Sequence, residues 1–242
     1  MPYILSPCIP VGVPGLFGEG PAYERSVLYD IHSNDPAHPP VNYGMHSLRP
    51  HSIPHVDFPA HIIEDAATAE WFFQERTMRS FYGPVLVVQL QGGKWVDSER
   101  AAGSSVWRIS EQELRSAVQR VSGSAEVPEK LFITARDVPR TKHGFHDSRF
   151  VLVLSESAAH WLASNPRFNA FGTSWKSSDF EPASRNRPVH RILLRQALLF
   201  EQLKLDHVPE GQYFLSAFPL PLEGASESPC TPVLFEKSDW PG

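Results

Sequence analysis

Apolar and polar positions follow two rhythms along this chain. The short continuous apolar runs GPVLVVQL (83–90) and KLFITA (130–135) are rich in β-branched residues and predict buried strands. FNAFG (168–172) predicts a further short strand, and YFLSAFPLPL (213–222) another. Between them the rhythm changes to the three-and-four spacing of a helix. SEQELRSAVQRV opens with Ser110 and Glu113 in capping-box spacing and sets Leu114, Val118 and Val121 on one face. SESAAHWLASN opens with Ser155 as its N-cap and turns Trp161 and Leu162 inward. Residues 1–60 are rich in proline and glycine, which predicts strands joined by irregular loops. Strands alternating with helices predict an α/β fold with a mixed sheet, and the absence of a linker-like stretch predicts a single domain over 1–242.

Composition adds limits. The 242 residues are 41% hydrophobic and 20% charged, with a net charge of -5, enough for one well-buried core. Lys and Arg total 22 against 27 acids and form no basic block, which argues against nucleic acid or an anionic membrane as partner. MPYILSPCIPVGVPG is apolar but lacks a positive opening and is broken by four prolines, so it is expected to belong to the mature fold. No run approaches the roughly 18 apolar residues of a membrane span. Two cysteines, Cys8 and Cys230, supply neither a disulfide framework nor a metal knuckle; reduced thiols in a cytoplasmic protein are expected.

The candidate chemistry lies in HSIPHVDFPAH (51–61), where His51, His55, Asp57 and His61 all hold odd positions. Pro54 and Pro59 exclude a regular helix, so the i, i+4 helical chelate is ruled out. A straight strand would spread the four over about 33 Å at roughly 3.3 Å per residue, so convergence requires a bend. His55 and Asp57, two apart on one face, form a ligand pair without one. Imidazole with carboxylate suits zinc, manganese or iron, and the lack of nearby cysteine disfavours a purely structural zinc site. The plain alternative is a surface loop of freely titrating histidines.

The pattern His51-x-x-x-His55-x-Asp57-x-Pro59-x-His61 resembles the HxGTHxDxPxH signature of the metal-dependent cyclase family, which includes bacterial kynurenine formamidase and isatin hydrolase. Ile53-Pro54 stands where that family usually has Gly-Thr, and a proline has no N–H to offer substrate. The resemblance runs through nearly the whole chain. LSPCIPVGVPG resembles the opening strand and turn, with Val13 in place of a pocket tryptophan. FNAFGTSWKSSD resembles the family segment usually read as G-x-D-T-x-S-x-D, with Ser174 where an aspartate is common, and PVHRILLRQALLFEQL resembles the C-terminal block. The implied fold is a swivelling β/β/α single domain.

The resemblance implies His51, His55 and Asp57 as metal ligands, His61 as general acid/base or, in some members, a residue near a second metal, and His190 and Glu201 as residues completing the site, Glu201 also as a catalytic candidate. Val189 competes with His190 for its position. On one helix His190 and Glu201 would lie about 16 Å apart at 1.5 Å per residue, so if both belong to the site the chain turns between them, with a short helix over 188–195 and a strand from near Ala197. If the segment is helical throughout, at most one of the two is a ligand. Glu201 in an apolar run needs a partner if buried. His32, His38 and His46 are expected on the surface, His160 in a structural role and His207 exposed. The loop bearing His143 and His146 is a candidate cover for the pocket, one of the two a candidate substrate contact. Trp71, Phe72, Phe73, Phe17 and Tyr23 are core or pocket wall.

The activity implied is hydrolysis of an amide, formamide, lactam or ester in a small aromatic metabolite, with one or two Zn2+ or Mn2+ per chain and His61 moving the proton. The same metal could instead stabilise an enolate during cyclisation, dehydration or isomerisation. A catalytically inactive metal- or ligand-binding protein is the third reading. A homodimer is the expected assembly.

Overall fold

The structure is a computed structural model that describes residues 1–74, 78–99, 101–180 and 186–239. Its first part holds strands β1 (Tyr3–Ile4), β2 (Tyr23–Tyr29), β3 (Tyr43–Leu48) and β4 (His55–Asp57), then helix α1 (Ala69–Gln74). The middle holds β5 (Tyr82–Leu90), β6 (Val96–Asp97), β7 (Ser105–Ile109), α2 (Glu111–Ser122) and β8 (Lys130–Ala135). β9 (Phe150–Leu154), α3 (Glu156–Ala163), β10 (Ala170–Thr173), α4 (Pro188–Leu193) and β11 (Leu198–Glu201) follow, and β12 (Gly211–Ser216), β13 (Glu227–Pro229) and β14 (Val233–Phe235) complete the order. No described helix is long and apolar enough to cross a membrane.

Among the described residues the main sheet has nine strands in the order β1-β14-β12-β5-β8-β10-β11-β4-β13. Its centre, β5, β8, β10 and β11, is parallel. These are the continuous apolar runs of the sequence, and they carry side chains buried on both faces, as parallel strands covered on both sides must. Gly172 lets β8 and β10 approach, since a Cβ there would run into the Phe132 ring. Antiparallel strands flank the centre on both sides, β12 on β5 and β4 on β11. A smaller sheet, β6-β7-β9, lies beside it.

Both long helices start where their caps place them. The Ser110 hydroxyl accepts from the Glu113 N–H while the Glu113 carboxylate accepts from Ser110 N, and the Ser155 hydroxyl accepts from Ala158 N. Leu114 and Val118 of α2 and Trp161 and Leu162 of α3 join the core cluster that contains Leu131, Ile133 and Leu199. The run expected as a strand over 213–222 ends early, at Ser216, where prolines 219 and 221 forbid further pairing. β2 and β3 form a two-stranded arm almost wholly exposed, with Val27, Leu28, Tyr43 and Met45 uncovered.

Candidate metal centre

Strand β4 fixes the first two side chains. It lies between β11 and β13, antiparallel to both, with Glu201 opposite His55 and Glu227 opposite Asp57. Side chains two apart, and those directly opposite, share a face of a sheet. His55, Asp57, Glu201 and Glu227 therefore meet on one side. The bend required of the 51–61 segment is made by two single 3-10 turns, Pro50–Ser52 and Pro59–His61, each opened by a proline. They fold His51 and His61 back over the strand, so the one-face extended arrangement holds only for His55 and Asp57.

The helix–turn–strand arrangement between His190 and Glu201 is present, as α4 and β11. Val189 and His190 are both buried; Val189 belongs to the apolar core and His190 to the polar cluster. His190 Nε2 lies 3.5 Å from Asp57 Oδ2 and 3.5 Å from Glu201 Oε1.

The central trio is tight. His51 Nδ1 is 3.0 Å from His55 Nε2, and these nitrogens stand 3.7 and 3.4 Å from Asp57 Oδ1. Ligands about 2.1 Å from a tetrahedral ion are spaced about 3.4 Å apart, so the three edges suit one cation. Glu201 Oε2 is 3.8 Å from His55 Nε2. Two further trios overlap this one, Asp57–His61–His190 and His51–His61–Glu227.

Asp57 supplies the physical test. Its carboxylate is wholly buried, and neither oxygen has a hydrogen-bond donor among the described residues. An ionised carboxylate in that position costs several kcal/mol unless a cation meets it. Burial opposes ionisation of Asp57, but His55 and His190 outweigh it and hold its pKa well below the usual range. Burial, then the neighbouring His55, pushes His51 down to about 4, so it is a neutral ligand at pH 7. Burial and Asp57 raise Glu201, which leaves it able to hold a proton. His55 Nδ1 bonds to the Ile53 carbonyl at 2.8 Å, and a carbonyl only accepts. Burial opposes protonation of His55, but Asp57 and Glu201 raise its pKa. With Nδ1 tied to the carbonyl, Nε2 faces the trio and is the nitrogen that would meet an ion, an outer contact typical of metal-binding histidines. These residues fit a divalent ion.

A loop covers the trio. Leu16 N donates to Ser52 Oγ, which also bonds Glu19, and Lys176 Nζ donates to the Leu16 carbonyl and lies over the Phe17 ring. Phe17 meets His51 edge-on, with ring centroids 6.4 Å apart. Of the aromatic candidates, Phe17 alone among those named touches a metal-site ring; Trp71 and Phe72 line a separate cavity, and Tyr23 bonds His46.

Sequence reasoning missed Asp179, Arg187 and Glu227. Asp179 Oδ2 accepts from His190 Nδ1 at 2.7 Å and from its backbone N at 3.0 Å. Arg187 Nη2 donates to His190 Nε2 at 2.9 Å. No spacing rule ties these residues to the 51–61 motif; only the strand pairing and the α4 turn do. His146, a candidate substrate contact, is buried elsewhere and bonds Ser174 and the Phe150 carbonyl. His32, His38, His46 and His207 are exposed as expected, and His160 is exposed too, so it has no core role.

No family model matches the chain. It is 26% identical to cyclase-like protein 1 of Arabidopsis thaliana over 81% of its length and 70% of the relative's. It is 29% identical to the kynurenine formamidase of Polaromonas naphthalenivorans over 82% and 77% of the two chains. Among solved structures, isatin hydrolase A from Labrenzia aggregata bound to benzyl benzoate superposes with a TM-score of 0.70 at 19% identity, covering 97% and 93%. A potential metal-dependent hydrolase with cyclase activity gives 0.64 at 21% identity, covering 97% and 96%. The homologues of this chain are thus cyclase-like proteins and kynurenine formamidases, and its α/β fold is that of the isatin hydrolases.

Proposed function

We propose that the chain is a divalent-metal hydrolase that cleaves a carbonyl–nitrogen bond, an amide, formamide or lactam, in a small aromatic metabolite. One observation carries this reading: the buried, donor-free Asp57 carboxylate at the meeting point of His51 and His55. The names of the relatives, kynurenine formamidase and isatin hydrolase, support the bond type.

His51, His55 and Asp57 would hold the ion, with Glu201 beside them. A zinc or manganese ion there supplies Lewis acidity towards a carbonyl oxygen and lowers the pKa of water, to about 7 for zinc. His61 sits half-buried over the trio, its ring 4.7 Å from that of His51. Burial lowers its pKa, so at pH 7 the ring is neutral and has a nitrogen free to accept a proton and return it to a leaving nitrogen. Glu201, held at Oε1 by the Ser178 N–H, is the second residue able to carry a proton. Phe17 provides an aromatic wall at the entrance.

Pro54 favours a second reading, because its carbonyl bonds Cys230 N and its ring nitrogen has no hydrogen to give a tetrahedral intermediate. In that reading His61 shuttles protons during a cyclisation or dehydration of an enolisable metabolite. Incubating zinc-loaded protein with formanilides and lactams in 18O water separates the two: hydrolysis places one labelled oxygen in the product, and cyclisation places none. A homodimer is the proposed assembly, given the uncovered apolar residues of the β2–β3 arm. A monomer in light scattering at micromolar concentration contradicts it.

A further inference from the structure

We infer that Arg187 stands in for a second cation, so that the chain holds one divalent ion and not two. The inference rests on the metal reading above and concerns the trio Asp57–His61–His190, whose donor atoms all lie within 4.8 Å of one another. On composition alone that trio is a second metal position sharing Asp57 with the first.

The hydrogen bonds of His190 close it. An imidazole has two ring nitrogens, and here Nδ1 faces Asp179 Oδ2 at 2.7 Å. The other, Nε2, is met at 2.9 Å by Arg187 Nη2. A guanidinium has donors and no acceptor, and it does not deprotonate in proteins, so this contact is a bond only if Nε2 offers its lone pair. A ring carrying its hydrogen at Nε2 would set two N–H groups against each other at 2.9 Å. The lone pair that a second ion needs is therefore already given to Arg187.

Two further features support it. Arg187 is held at φ 39°, ψ 60°, a left-handed backbone conformation costly for a residue with a Cβ, immediately before Pro188 opens α4. Its guanidinium is also tied to Ser177 Oγ at 3.2 Å, so the strained backbone delivers a fixed charge to this spot.

The test is metal stoichiometry, read without any assay of turnover. Chelator-stripped protein is titrated with Zn2+ by calorimetry, and the desalted product is analysed for metal. The parent should bind about one ion per chain. Arg187→Gln should bind two, and Arg187→Gln with His190→Ala should return to one. Arg187→Lys, which keeps the charge, should stay at one, with circular dichroism confirming that each variant is folded. Two ions in the parent, or one in folded Arg187→Gln, overturns the inference and leaves the hydrolase reading standing. No ion in any form brings down both.

Discussion

The molecule buries histidines in two places, and they differ in one respect. His146 is surrounded by a complete relay: its Nε2–H donates to the Phe150 carbonyl, which can only accept, so Nδ1 takes the Ser174 hydroxyl hydrogen, and Ser174 Oγ accepts in turn from Thr134. Burial, then Arg140, depresses His146 to about 3, and the ring stays neutral with both nitrogens bonded. At the 51–61 cluster the histidines are equally close to polar partners, yet both Asp57 oxygens lack a donor among the described residues. A satisfied network stabilises a fold; a buried carboxylate without a hydrogen-bond donor, at the meeting point of several imidazole nitrogens, calls for an ion. Histidine content does not distinguish the two places, but completeness of hydrogen bonding does.

Substitutions should separate the two in order of size. Asp57→Asn or His55→Ala should abolish both metal content and turnover, measured by elemental analysis and hydrolysis of formanilides. His61→Ala should keep the metal and lose about 10²–10⁴-fold in turnover, the usual worth of general acid–base help. If His61 is chiefly a ligand, metal content falls instead. His146→Ala should do the opposite of both: stability falls by about 1–3 kcal/mol in urea unfolding, because Ser174 and Phe150 lose their partner, while metal content is unchanged.

The smallest effect belongs to a satisfied carboxylate outside both clusters. Lys94, Ser110 and Trp107 outweigh burial and hold Glu113 at about 2, against an ordinary 4.5. A carboxylate whose pKa is lower in the folded state contributes stability that is full above about 4.5 and fades as pH falls through about 2. Glu113→Ala should therefore cost about 1 kcal/mol at pH 7, a typical cap contribution. The gap in Tm between parent and variant should narrow in melts at pH 3. A gap that is independent of pH contradicts the assignment.

Much of this arrangement is legible in the sequence because it is local. The capping residues Ser110 and Ser155, the apolar runs of β5 and β8, and Pro59, which opens one of the two turns bending the 51–61 segment, all act within a few residues of themselves; the other turn is opened by Pro50 and not by Pro54. The turn between His190 and Glu201 follows once the resemblance places both in one site, since one helix would hold them too far apart. Asp179, Arg187 and Glu227 are not legible as site residues: Glu227 arrives by a strand pairing, Arg187 by a left-handed residue, and Asp179 by bonding Val189 N and His190 N at the start of α4, none of which a periodicity encodes. His146 misleads because its neighbours in sequence are polar while its own ring is buried and bonded to Ser174 and the Phe150 carbonyl. β12 stops at Ser216 because prolines outrank the apolar pattern around them.

The most direct test of the central claim is the metal content of three purified proteins, the parent, Asp57→Asn and His146→Ala, by elemental analysis after desalting. A divalent ion near one per chain in the parent and in His146→Ala, with none in Asp57→Asn, is the result expected from a cation compensating the Asp57 carboxylate. A parent free of metal that still hydrolyses a formanilide, or an Asp57→Asn protein as metal-rich as the parent, would contradict it.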